Sequence, residues 1–247
     1  MVSWAVIAGS VTGTSHVQRG TPCQDKSDFA IFGEHGDWLA VAVADGAGSA
    51  SHSDRGATVC VAELLLGVQA MPIDALTKDG MFALFTSARQ AVQAEAEQLG
   101  VSPREVACTA LLALVGPGGA AFGQIGDGAI VLGDGTTYRT AHWPEPGEYA
   151  NLTDFLTDDC YAERFAFTTS AEPITEVAVL SDGLQRLALD FVTKTPHEPF
   201  LRPLLRRLSA EPNPADLERP LSEFLDSAAI NARTDDDKSL VLAVRRA

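Results

Sequence analysis

Three apolar runs of strand length end on the same dipeptide. WLAVAVA (38–44) runs into Asp45-Gly46, AAFGQIG (120–126) into Asp127-Gly128, and EVAVLS (176–181) into Asp182-Gly183. A fourth run is reversed: Asp235-Asp236-Asp237 leads directly into SLVLAVR (239–245). Apolar stretches of this length read as buried strands. A carboxylate at the mouth of each brings several negative charges to one rim of a dry core. Such a cluster is costly unless something positive neutralises it, and an oxygen-only ligand set suits Mg²⁺, Mn²⁺ or Ca²⁺.

The competing reading is local. Asp-Gly is a common turn dipeptide, and the chain has five of them. Asp79-Gly80 and Asp134-Gly135 read as plain turns, the latter within the hairpin pattern IVLGDGTTY. The other three are set apart by repeated context, a buried-type strand before and a helix or strand after.

Size and charge narrow the classes. The 247 residues are 46% hydrophobic, enough for one large domain or two small ones. No Pro/Gly/Ser-rich linker divides them, so one domain over 1–247 is expected. A net charge of −15 argues against nucleic-acid or anionic-membrane partners, whose phosphates it repels. The opening MVSWAVIAGS lacks the basic region and long apolar core of a secretory signal. VACTALLALVGPGGAAFGQIG (106–126) is broken by Gly and Pro and suits two strands and a turn better than a membrane span. Cys23, Cys60, Cys108 and Cys160 form no CxxC pair, and the histidines are scattered. Reduced thiols in a cytoplasmic setting are expected, not disulfides or zinc.

Along the chain, WAVIAGS (4–10) reads as a strand, and FAIFG (29–33) with WLAVAVA as a hairpin. Ala57, Cys60, Val61, Leu64, Leu65 and Val68 mark a helix, with Ser53 or Asp54 as its N-cap. A second helix over about 80–99 has Phe82, Phe85, Val92, Ala96 and Leu99 on one side and Gly100 at C′. Strands are expected near 106–115, 120–126, 129–132, 136–140, 164–169, 176–180 and 239–245. Two or three helices fill 184–233, where Pro203 and Pro220 fit helix interiors poorly. The irregular stretch 142–165 is long for a compact domain, as functional loops are. Strands and helices in separate groups point to an α+β fold with mainly antiparallel sheets.

In this order the segments resemble the metal-dependent protein phosphatases of type 2C, the PPM family, in bacterial form. CQD (23–25) stands where that family has its first acidic motif. ADGAGSA (44–50) is similar to its Asp-Gly metal motif, IGDG (125–128) to its Gly-Asp motif, LSDGL (180–184) to its Ser-Asp-Gly motif, and DDKSLVLAV (236–244) to its closing motif. The resemblance spans nearly the whole chain. It implies an αββα sandwich, two antiparallel β-sheets flanked by helix pairs, with 142–165 as a flap beside the cleft.

The resemblance also implies roles. Asp45 would bridge two Mn²⁺ or Mg²⁺ ions, the Gly46 carbonyl would bind the second, and Asp182 and Asp236 the first. Asp127 would bind a third, weaker ion with Asp182 shared. Asp25 would hold metal weakly or through water. Asp235 and Asp237 read as solvated turn. The activity implied is hydrolysis of phosphoserine and phosphothreonine in proteins by a metal-activated water, opposing a cognate kinase. Three departures stand out. Gln24 replaces a carboxylate that commonly contacts the second ion, so weaker binding there is expected. Gly20 occupies the place of the family's phosphate-gripping arginine, leaving Arg19 one step off as a candidate, since a guanidinium suits bidentate phosphate binding. Ala47 follows Asp-Gly where some members have histidine, leaving His16 and His52 as candidates near the substrate, against the commoner structural role of histidine. The alternative function is a weak or inactive phosphoprotein-binding module of the same fold, which Gln24 favours and the retained aspartates oppose.

Overall fold

The WLAVAVA segment is buried at all 7 positions, which requires a sheet covered on both faces. A computed structural model describes residues 3–71, 76–144 and 153–246. Its strands are β1 (Ser3–Val11), β2 (Lys26–Phe32), β3 (Trp38–Ala44), β4 (Ala110–Gly116), β5 (Gly119–Ile125), β6 (Ala129–Gly133), β7 (Tyr138–Thr140), β8 (Ala166–Ser170), β9 (Glu176–Leu180), the short β10 (Leu189–Asp190) and β11 (Thr195–Pro196), and β12 (Lys238–Arg246). Ten of them form two antiparallel five-stranded sheets, ordered β1-β12-β9-β6-β7 and β2-β3-β4-β5-β8, and β10 pairs with β11.

The helices are α1 (Thr14–Arg19), α2 (Ser53–Ala70), α3 (Lys78–Leu99), α4 (Tyr161–Arg164), α5 (Gln185–Ala188), α6 (Glu198–Ala210), α7 (Glu218–Leu225) and α8 (Ala228–Asn231). The two faces of β3 show how the layers stack. Leu39, Val41 and Val43 join an apolar layer with Phe122, Val179 and Val241, between the sheets. Ala40, Ala42 and Ala44 face α2 and α3, where small side chains let the helices approach. Across the other sheet, Leu240, Leu242 and Val244 of β12 pack with Leu205, Leu208 and Leu221 of α6 and α7. Each such aliphatic side chain contributes about 1.5–3 kcal/mol on burial. The result is the αββα sandwich.

Local details depart from the sequence expectations in ways that physics explains. Helix α2 begins at Ser53, with His52 as its N-cap and no side-chain cap bond. Helix α3 is capped by Thr77, whose side chain accepts from Gly80 N, and ends at left-handed Gly100 as expected. Its inner face is Met81, Leu84, Phe85, Ala88, Val92 and Ala96. Phe82 is half-buried, stacked near Tyr161 and Phe165, and Leu99 is exposed because the stripe has rotated away by the last turn. Pro203 lies inside α6, a loss of one helix bond that the buried face of Leu201, Leu205 and Leu208 offsets. Pro220 sits in the first turn of α7, where its missing N–H has no intrahelical partner to lose. Of the expected flap, 145–152 lies outside the described residues. Its far arm, 153–165, includes the short helix α4.

The register brings strand ends together. Lys26 pairs with Ala44, and Leu180 pairs with both Leu240 and Ala129. Thus the ends of β3 and β9 and the starts of β2, β6 and β12 open on one edge. The β5–β6 connection crosses between the sheets at that same edge, turning at Gly126 with φ +104°, a conformation that favours glycine.

Candidate metal centre

Asp45, Asp127 and Asp182 follow β3, β5 and β9. Each offers a carboxylate oxygen, and these oxygens lie within 4.8 Å of one another. Residues separated by more than 130 positions in sequence meet there because three antiparallel ladders end in register.

Each carboxylate is held by a different device. Beyond β3 the chain pairs briefly again. Asp45 N donates to Thr109 Oγ1 at 2.9 Å, Thr109 N to Asp45 O at 2.8 Å, and Ala47 N to Ala107 O at 2.9 Å. This places Gly46 opposite Cys108 and leaves the Gly46 carbonyl out of that ladder. The Gly126-Asp127-Gly128 crossing is clamped by side-chain amides. Gln124 Nε2 donates to Gly126 O at 3.0 Å and Gly128 O at 2.8 Å, and Gln185 Nε2 donates to Asp127 O. Thr153 Oγ1 donates to Asp127 Oδ2 at 3.0 Å. Asp182 opens a single 3-10 turn with Ser181 as its N-cap.

Ser181 ties the sheets' ends together. Fully buried, it donates to Asp25 Oδ2 at 2.5 Å and accepts from Ser239 N at 2.9 Å. Asp25 is 6% exposed and sits behind Asp45. Asp236 is exposed at the rim, with its charge acting on Asp127 and Asp182.

Burial and crowding set the protonation. Burial pushes Asp25 up to about 7, against the bonds from Ser181 and Asp45. Burial, then the charges of Asp25 and Asp182, raise Asp45 well above the usual carboxylate range. Burial raises Asp182 to about 6, with Asp127 adding to it. Burial also raises Asp127, opposed by Thr153. Among the ion pairs of the described residues, none brings Arg or Lys to these carboxylates. Without a cation the cluster holds protons near neutrality. With oxygen donors only, and buried oxygens of Asp127 and Gln24 lacking a protein donor, it fits hard divalent cations.

Two sequence expectations are corrected. Asp237 is no solvated turn residue: it is 2% exposed, and its carboxylate accepts from Gly13 N and Gln24 N, each at 2.6 Å. His16 does not reach a substrate position. It is 4% exposed, with Nδ1 2.9 Å from Asp237 Oδ2. Strand period explains the first, because Asp237, just before β12, shares the inward side with Ser239, Val241 and Ala243, whereas Asp236 takes the other. Asp235 is exposed. Arg19 is exposed at the end of α1, its Nε and Nη2 resting on Ser15 O and Oγ at 3.1 and 3.2 Å. Gln24 is buried, and Nε2 donates to Ala50 O at 3.3 Å. His52 donates its backbone N–H to Glu105 O as it caps α2. Ser181, Thr109, Gln124, Gln185 and Thr153 were not anticipated. Only the Ser before Asp182-Gly183 left a trace in the sequence.

Residues 12–226 match the family described as Protein phosphatase 2C. A curated relative, serine/threonine-protein phosphatase 3 of Escherichia coli (strain K12), is 38% identical over 250 residues, covering 98% of this chain and 99% of the relative. Among solved structures, serine/threonine phosphatase Stp1 from Staphylococcus aureus has a TM-score of 0.64 at 14% identity, covering 98% of this chain and 95% of that one. Serine-threonine phosphatase 2C from Toxoplasma gondii has a TM-score of 0.67 at 12% identity, with 99% and 95% covered. At such identities the structural likeness is one of fold.

Proposed function

The chain belongs to the protein phosphatase 2C family, and from that premise we propose that it hydrolyses phosphoserine and phosphothreonine in proteins, using Mn²⁺ or Mg²⁺ held at its strand-end aspartates. The observation that carries this reading is the convergence of Asp45, Asp127 and Asp182 within 4.8 Å. The near-complete match to a phosphatase relative favours it over an inactive binding module.

In this reading Asp45, the Gly46 carbonyl, Asp182 and Asp236 would hold the principal pair of ions. Asp127 would serve a third, weaker ion, and Asp25 would act through water. Bound there, divalent ions would supply an acidified water and positive charge for the phosphoryl oxygens. The chain's own residues do the rest. Asp45 and Asp25 give up their protons as cations arrive. Ser181, Thr109 and Gln185 keep the ligands from relaxing apart. Arg19, free to leave Ser15, supplies a bidentate fork for the phosphate. With Ala47 after Asp45-Gly46, the departing serine or threonine oxygen takes its proton from water or another group.

Residues 1–247 act as one domain in this proposal, with 142–165 as a flap beside the cleft. The cysteines are all unpaired, and among the described residues no helix is long and apolar enough to cross a membrane. In this reading the enzyme is cytoplasmic and opposes a serine/threonine kinase. The test is release of phosphate from a phosphothreonine peptide with added Mn²⁺. Asp45→Asn and Asp182→Asn should each lower turnover by at least about a hundredfold while circular dichroism stays unchanged. A folded parent chain without turnover at millimolar Mn²⁺ would sink the reading.

A further inference from the structure

Arg89 lies on α3, outside the cleft, yet its guanidinium is spent entirely on the far arm of the flap. Nε donates to Leu156 O at 3.0 Å, and Nη2 to Thr157 O at 3.0 Å and Asp158 O at 3.1 Å. The same group stacks over the Tyr161 ring at 4.6 Å. Its side chain is only 16% exposed, and the carboxylate paired with it among the described residues, Asp159 at 3.9 Å, is fully solvated. The desolvation of a buried guanidinium is therefore offset by backbone carbonyls. A planar fork suits three successive carbonyls as a point charge cannot.

The segment it grips touches both arms of the metal centre. Leu156 is fully buried, and its N–H donates to Cys108 O at 2.8 Å, on the residue paired with Gly46. Phe155 packs on Ala47, Ala50 and Ala107, beside Gly46. Thr153, three residues upstream of Leu156, donates to Asp127 Oδ2. An unbroken run of contacts thus leads from α3 to a candidate ligand.

We propose that Arg89 is a positioning residue, which fixes 153–158 so that Thr153 holds the Asp127 carboxylate toward Asp45 and Asp182. This rests on the metal-dependent reading above but goes beyond it. Arg89 touches neither metal nor substrate and acts through the loop. A helix-to-loop clamp of this kind couples packing of the flap arm to the weakest cation site.

The test uses the full chain titrated with MnCl₂ by calorimetry, with hydrogen exchange at the amides of 153–158. In Arg89→Ala, folded by circular dichroism, the Leu156 amide should lose protection. The weakest Mn²⁺ step should weaken by about tenfold, the low end for loss of an outer partner of a ligand. Thr153→Val should weaken the same step, Thr153→Ser should restore it, and Arg89→Ala with Thr153→Val should be no worse than either alone, since both act through one element. Should Arg89→Ala not fold, Arg89→Lys, which cannot span the three carbonyls, takes its place in the same comparison. A weakest step within about twofold of the parent, or additive losses in the double variant, would overturn the proposal. Mn²⁺ binding by the parent without hydrolysis would tell against the phosphatase reading alone. No Mn²⁺ binding by the parent would overturn both.

Discussion

Replacing Asp237 separates a structural aspartate from a solvated one. Alanine there removes the acceptor of two buried backbone N–H groups, Gly13 N and Gln24 N, and leaves the buried His16 ring facing a void. A buried donor left unsatisfied costs about 1–3 kcal/mol, so two of them predict a loss of about 2–6 kcal/mol. Water entering beside the exposed Asp236 would satisfy part of the demand, which places the expectation near 3 kcal/mol. Against a total of about 5–15 kcal/mol the variant still folds, and at about 2–4 °C per kcal/mol its melting midpoint falls by about 6–12 °C. Asp237→Asn keeps the volume but turns one acceptor into a donor against a backbone N–H. It should lose about 1–3 kcal/mol. Equilibrium urea unfolding in EDTA measures both. A solvated turn residue would change stability by no more than about 0.5 kcal/mol. A loss below about 1 kcal/mol for Asp237→Ala would refute the reasoning.

Other outcomes follow from the same geometry. The metal-free fold should weaken as pH rises: Asp25 at about 7 and Asp182 at about 6 lie above their unfolded values. The stability they contribute is complete below about pH 4 and lost as pH climbs through 6 to 7. The Mn²⁺-induced rise in melting temperature should therefore be larger at pH 8 than at pH 5; equal rises in scanning calorimetry would contradict this. Gln24→Glu should lower stability in EDTA, because it sets a second acceptor against Ala50 O. It should also lower the Mn²⁺ concentration for half-maximal turnover, and an unchanged requirement would remove Gln24 from the site. Gly183→Ala should cost about 1–3 kcal/mol and weaken Mn²⁺ binding, because its Cβ would stand 2.0 Å from Asp237 O; a neutral melting curve would show that the loop yields freely.

The layered fold was legible because it rests on local pattern. WLAVAVA and SLVLAV announce buried strands, and the hairpins through Gly36 and Asp134 are short-range events. The ligand candidates were legible for the same reason, each lying at the end of such a run. What holds them was not. Ser181 reaches Asp25 across 156 positions, and Asp237 reaches Gln24 across 213. No window of sequence contains both partners of either bond. His16 misled for a related reason: its neighbours in the chain place it near the site, but the turn of α1 points its ring inward.

The competing readings of Asp-Gly are separated by how each carboxylate is satisfied. Asp134 spends both oxygens on its own turn, Oδ1 accepting from Thr136 and Thr137 amides and Oδ2 from the Thr137 hydroxyl. Asp237 spends both on Gly13 and Gln24. In both, each oxygen already accepts from the chain's own donors. Asp127 is held by one oxygen, through Thr153, while its other oxygen is buried without a donor, and Asp25, held by Ser181, meets the carboxyl of Asp45. An oxygen left without a donor costs about 1–3 kcal/mol. One clamped oxygen fixes the direction of the second, which is what a ligand requires. Burial raises the pKa values of these carboxylates, and a divalent cation at the same place would offset that cost.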